Sequence, residues 1–203
     1  MKTLTGQHTN TSLKIGKNLS KFSTYSCKPE TKYELVEIIG SRIDEDGLKC
    51  DLNDIDTSLI TDMSWLFYDS KFNGNISNWN VSNVTDMAYM FKDSFFDGDI
   101  SKWDVSSVES MEAMFEKSKF NGDISNWKVS NVKHMGEMFR DSKFNQDISK
   151  WDVSNVTNMS YMFSGSNFNQ DISNWKINTG CNTKNIFVGC PIKKKFKPKS
   201  LQI

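Results

Sequence analysis

The sequence predicts an α/β solenoid in which each 24-residue coil contributes one short strand and one short helix, with a helical cap at the N-terminal end. Three observations carry this expectation. First, "DISKWDVSSVESMEAMF" from Asp99 returns 24 residues later as "DISNWKVSNVKHMGEMF" from Asp123, and again as "DISKWDVSNVTNMSYMF" from Asp147, without insertion or deletion. A fixed period of this size marks an array whose units bury their apolar faces against their neighbours. Second, Met87, Met90 and Phe91 follow an i, i+3, i+4 spacing, which reads as a short helix with one buried stripe. Trp79 and Val81 stand two apart among β-branched residues, which reads as a short strand. Third, "KPETKYELVEIIGSRIDEDG" precedes the first coil as an amphipathic helix, with Pro29 near its start and Gly47 at its stop.

Taken in order, residues 1–26 show no periodicity and many polar side chains, and are expected to form an extended or disordered arm. Residues 27–50 hold the capping helix, which covers the first open edge of the array. The solenoid proper is assigned to 51–190. Its first copy is degenerate: Leu52, Ile55, Ile60 and Leu66 stand one period before Ile76, Trp79, Val84 and Met90. In the central copies Trp recurs at 79, 103, 127, 151 and 175, and Phe at 67, 91, 115, 139 and 163 and again at 72, 96, 120, 144 and 168. One coil cannot bury this aromatic content, whereas stacked copies at a spacing of about 4.8 Å place like side chains over one another. The Trp and Phe columns are therefore expected in the core, with the Met stripe filling its gaps. Residues 191–203, "PIKKKFKPKSLQI", read as a basic, proline-broken tail.

The 25 basic and 25 acidic side chains balance, so no overall bias toward nucleic acid or an anionic membrane is expected. No apolar run is long enough for a transmembrane helix. The N-terminal residues lack the continuous hydrophobic segment of a signal peptide, so export by the usual route is not expected of the sequence as written. The chain would then be cytoplasmic, or displayed as part of a particle. Cys27, Cys50, Cys181 and Cys190 lie outside the central repeats and are expected as free thiols. Cys190 falls one period after Ser166, in a column of small residues.

Catalytic and cofactor signatures are lacking. The two histidines are His8 in the arm and His134 in a column occupied elsewhere by Asp86, Ser110 and Asn158, which does not suit a shared base. No P-loop, GxGxxG, HExxH or CxxC occurs. No enzyme activity, no cofactor and no metal are expected. Asp99, Asp123, Asp147 and Asp171 form a weak candidate cation column, for which capping of backbone N–H groups is the plainer role.

The recurring "DISNWxVSNVTxMxxMFxxSxFN" units, the lead-in "KPETKYEL" and the first coil "DLNDIDTSLITDMSWLF" together resemble the BspA-like leucine-rich-repeat family, in its Trp-containing form found in Mycoplasma surface lipoproteins. The resemblance spans about Lys28 to Cys190. It implies a right-handed, leucine-rich-repeat-like coil and a role in adhesion to proteins or cells. Related repeats in phages and large viruses imply a structural alternative. The sequence departs from exported members in lacking a signal peptide and lipobox.

A binding function is expected at variable outward positions. Two columns flank the Trp: Asn78, Lys102, Asn126, Lys150 and Asn174 on one side, and Asn80, Asp104, Lys128, Asp152 and Lys176 on the other. They form a mixed-charge strip on the expected strand side, suited to a protein or glycan partner. The alternative is a virion or assembly component docked through the arm at 1–26. No specific nucleic-acid partner is expected, because the aromatics that would stack on bases are assigned to the core.

Overall fold

A computed structural model describes residues 26–202. The arm assigned to 1–26 lies outside the described residues except for Ser26. The chain opens with α1, Lys32–Asp46. Thr31 accepts the N–H of Glu34 at the helix N-cap, and Gly47, at φ 84°, closes the helix by donating to the Ile43 carbonyl. Leu35 and Ile39 are fully buried against the first coil. Polar contacts fix the docking: Lys32 Nζ reaches Asp62 Oδ1 at 3.0 Å and Ser64 Oγ at 2.6 Å, and Arg42 pairs with Asp54 at 2.8 Å.

Beyond α1 the chain runs through 24-residue units, each lying against the next in parallel register. Parallel bridges join Asp62 to Asp86, and onward through Ser110, His134 and Asn158 to Asn182. The buried columns follow the period. Phe67 and Phe91 stack with ring centroids 5.5 Å apart, and Phe72 and Phe96 at 6.3 Å. Trp79 and Trp103 stack at 6.4 Å. Each of the five indoles in the Trp79 column donates to a backbone carbonyl of the preceding unit, as Trp127 Nε1 does to Ile100 at 3.1 Å. An indole N–H enters an apolar core without penalty only when it finds such an acceptor.

The local structure of the unit differs from the expected strand and helix. Among the described residues α1 is the only α-helix, and the stretches expected to be short helices are runs of tight turns. In the segment 86–94, the N–H groups of Met87, Tyr89, Phe91 and Asp93 cross to the carbonyls of Ser110, Glu112, Met114 and Glu116 in the next unit, at 2.8–2.9 Å. The intervening N–H groups of Met90, Lys92 and Ser94 close on the carbonyls of Met87, Tyr89 and Phe91, and Ala88 donates to Asp86 Oδ1. Every N–H from 87 to 94 is thus satisfied without one helical bond. This demands left-handed backbone at Tyr89 (φ 61°) and Asp93 (φ 56°), and the same two columns are left-handed in every unit. A right-handed helix cannot include such residues. The i, i+3, i+4 spacing buries the same stripe in both geometries, while a helix of one turn would bear the full nucleation cost.

The side expected to hold the strand is also built of turns. The continuous line of bridges lies instead on the side expected to be helical, at the column that holds His134.

The basic tail is a further partial unit. Ile192, Phe196 and Leu201 stand one period after Phe168, Ile172 and Ile177. Ile192 is buried, and Phe196 and Leu201 pack on the core. Phe196 accepts the N–H of Ile172 at 2.9 Å, and Lys193 N–H meets Asn169 Oδ1 at 3.2 Å. Two short 3-10 turns, Lys194–Phe196 and Lys199–Leu201, complete this closing layer over Trp175. The lysines point outward while the apolar positions keep the period.

Candidate functional site

Around each Trp the chain makes two consecutive turns held by short polar side chains. Asp99, Asp123, Asp147 and Asp171 each accept, through Oδ1, the N–H of the serine two residues on, at 2.8–2.9 Å. Asn75 does the same for Ser77 at 3.2 Å, so the turn does not require a charge. These hydrogen bonds are the chief cause that holds the four carboxyls below their usual range. Among the described residues no group of three His, Cys, Asp or Glu side chains converges as a metal site.

The first turn and the junction between the two turns place the candidate strip. All ten of its side chains are exposed: Asn78, Asn80, Lys102, Asp104, Asn126, Lys128, Lys150, Asp152, Asn174 and Lys176. Asn78, Lys102, Asn126, Lys150 and Asn174 sit on the first turn and the other five between the two turns, none of them on a strand. Asn80, Asp104 and Asp152 are partly committed, since each Oδ1 accepts the N–H of Ser82, Ser106 or Ser154 at 3.1 Å. Those bonds, ahead of the attraction of Lys128 and Lys176, hold the Asp104 and Asp152 carboxyls low. Asn174 Nδ2 donates to the Ser149 carbonyl. Lys102, Lys128, Lys150 and Lys176 form no ion pair among the described residues, so one ammonium per unit stays available along the face.

Two shallow depressions open on this side. One, of about 370 Å³, is lined by Asn126, Trp127, Lys128, Ser130, Lys150 and Asp152. The other, of about 350 Å³, is lined by Asp147, Ser149, Gln170, Asp171, Ser173 and Asn174.

A polar ladder that the sequence reading did not single out borders the strip. The Oδ1 atoms of Asn73, Asp97, Asn121 and Asn145 each accept the N–H of the residue one period later, at 2.8–3.0 Å. The left-handed side carries a second unforeseen patch. Trp65 stacks on Tyr89 at 4.1 Å, and Tyr89 Oη donates to Glu112 at 3.1 Å. Burial and then Glu112 push the Tyr89 phenol up to about 12. Beside it, the buried Glu116 pairs with Lys92 at 2.7 Å. The signal for this patch was a column reading Trp65, Tyr89, Ala113, Glu137 and Tyr161, in which aromatic and acidic residues share a position.

The four cysteines are unpaired, and burial raises each thiol above its usual value. Cys190 Sγ lies 3.8 Å from Ser166 Oγ, in the column its spacing indicated.

A family model described as "Mycoplasma protein of unknown function, DUF285" matches residues 43–141 and again 95–199. The chain belongs to this repeat family. Its matched span takes in every unit described above, including the strip, the aspartate column and the closing layer as far as Lys199. A search of curated proteins returned no match, and neither did a search of solved structures. Among the described residues no helix is long and apolar enough to cross a membrane.

Proposed function

We propose that this member of the family is a non-catalytic recognition module, a right-handed, leucine-rich-repeat-like solenoid of the BspA-like type. It binds a protein or glycan through the strip flanking the Trp columns. The observation that carries this reading is the row of four exposed, unpaired lysines, one per unit from Lys102 to Lys176, on a backbone fixed by turns. A partner bearing regularly spaced acidic or hydroxyl groups would meet ammonium donors already separated by the repeat, with little ordering cost on this side. The adjacent turn carboxylates spend one oxygen on backbone N–H groups, so they set orientation more than they neutralise the lysines.

The test compares partner capture from the native source by the full chain and by a variant reversed at Lys102, Asp104, Lys128 and Asp152. Recognition through the strip predicts loss of capture by a chain that still unfolds cooperatively, its transition lowered only by the Asx bonds lost at Asp104 and Asp152. Full retention of the same partner would remove the strip from the account. A third chain lacking residues 1–26 separates the assembly reading: loss of a particle component in that chain alone, with the reversed variant still binding, would replace adhesion by docking through the arm.

A further inference from the structure

The formal charge of zero hides a strong polarity along the stack. Between residues 26 and 70, eleven Asp and Glu stand against four Lys and Arg. Three of those cations already form ion pairs, Lys28 with Asp56, Lys32 with Asp62 and Arg42 with both Asp46 and Asp54, which leaves only Lys49 unpaired among the described residues. Glu37, Asp44 and Glu45 on α1 remain exposed and unpaired among the described residues. At the other end, residues 171–202 carry seven lysines and one Asp. None of those lysines makes an ion pair among the described residues. Lys193 and Lys195 lie over the Phe196 ring at 5.4 and 5.2 Å, and Lys197 over Phe187 at 5.2 Å.

The alternate N–H groups of the left-handed segment run in the same sense, although those flanking it, such as Thr85 and Phe95, donate back to Thr61 and Ser70. At each junction four N–H groups of one unit donate to four carbonyls of the next, ending with Met159, Tyr161, Phe163 and Gly165 on Asn182, Lys184, Ile186 and Val188. In the last unit Thr183, Asn185, Phe187 and Gly189 occupy the donor positions, and among the described residues no acceptor meets their N–H groups. The closing layer leaves this side open, because Ile192, Phe196 and Leu201 continue the columns of the Trp side. In the first such segment the carbonyls of Asp62, Ser64, Leu66 and Tyr68 hold the acceptor positions, and no described N–H donates to them. One end of the stack thus offers cations and backbone donors, and the other offers carboxylates and backbone acceptors.

We propose that a second copy of this chain is the partner of these ends: the lysine-rich C-terminal end of one copy docks head to tail on the acidic N-terminal end, at α1, of the next. The contact joins two different surfaces, so it propagates into open chains unless its rotation closes a ring. Head-to-head and tail-to-tail encounters set like charges against each other and are disfavoured, which gives the association a direction. This inference does not depend on the strip and leaves it exposed along the side of the assembly.

Sedimentation velocity on the full chain tests it. At about 0.1 M salt the weight-average mass should rise with protein concentration, and at about 1 M salt, where screening acts within about 3 Å, it should return to the monomer. A tail variant (Lys193→Glu, Lys194→Glu, Lys195→Glu) and a helix variant (Glu37→Lys, Asp44→Lys, Glu45→Lys) should each associate at least about tenfold more weakly alone. Mixed in equal amounts, they should associate again, since each reversed end now faces a complementary one. Rescue also shows that both variants are folded. A wild-type chain that stays monomeric at low salt overturns the proposal. Variants that associate alone as well as wild type overturn it too, as does a mixture of folded variants that stays monomeric.

Discussion

The two sides of each unit solve the same backbone problem in opposite ways. On the side containing residues 86–94, alternate N–H groups leave the unit and bond to its neighbour, so adjacent units are tied by main chain. On the Trp side, Asx turns keep N–H groups within the unit, and the indole, the Asn73 column and side-chain amides such as Asn83 cross instead. The first side holds units together whatever its outward residues are, provided the left-handed positions are tolerated. The second depends on the identity of Trp, Asn, Asp and Ser, and its invariance within this chain follows from that dependence. Of its outward positions, 104 and 152 hold turn N–H groups, whereas the side chains at 102, 126, 128 and 150 make no hydrogen bond or ion pair among the described residues, and all six are offered for recognition.

The largest effect should come from breaking the Trp side. Trp127→Ala removes a buried ring and its bond to Ile100, and is expected to destabilise the chain by about 3–5 kcal/mol in denaturant unfolding. Trp127→Phe retains much of the ring but loses the indole bond to Ile100, whose carbonyl keeps the Trp103 N–H, for about 0.5–1.5 kcal/mol. On the other side, Lys92→Ala leaves the Glu116 carboxylate buried without its cation, and a loss of about 2 kcal/mol is expected in the same measurement. Glu116→Gln in that background should recover most of it.

A smaller pair of changes tests the left-handed backbone. Lys117 is exposed at φ 53°, in the column where the last units carry Gly165 and Gly189. Lys117→Gly should stabilise by up to about 1 kcal/mol and Lys117→Val should cost about 1–2 kcal/mol. A helix at this site would reverse the order.

The smallest effect separates hydrogen bonding from charge in the aspartate column. The depressed carboxyls of Asp99, Asp123 and Asp147 contribute stability that is present above the unfolded value of about 3.9, and is lost as pH falls through their lower folded values. Replacing the three by Asn, which Asn75 shows to form the same turn, should flatten the acid limb of melting temperature against pH while leaving the neutral-pH value little changed.

The sequence made the columns legible, because burial repeats every 24 residues whatever the backbone does between. Phe67, Phe72, Trp79, Val84 and Met87 could be assigned to the interior, and α1 to the cap, from spacing and capping residues alone. The choice between helix and turns was not legible. Met87, Met90 and Phe91 satisfy the helical stripe, and the two left-handed columns are filled mostly by residues such as Tyr89 and Asp93, with glycine only at Gly165 and Gly189. The closing layer escaped notice because its Ile192 and Phe196 exchange the Phe and Ile of the preceding unit among five lysines. The ten candidate residues were legible as outward, since each neighbours a buried Trp or Val. Their use of turns was not, because Asx turns and a half-buried strand give the same alternation around Trp79.

The measurement closest to the centre of this account is the scalar coupling across a single hydrogen bond in a labelled sample. A correlation between the Ala113 amide nitrogen and the Gly136 carbonyl carbon is expected, since that bond is 2.8 Å long and joins two units. A correlation from Ala113 to the Glu109 carbonyl, four residues back, would establish a helix in each unit and contradict the crossed turns on which the stacking rests.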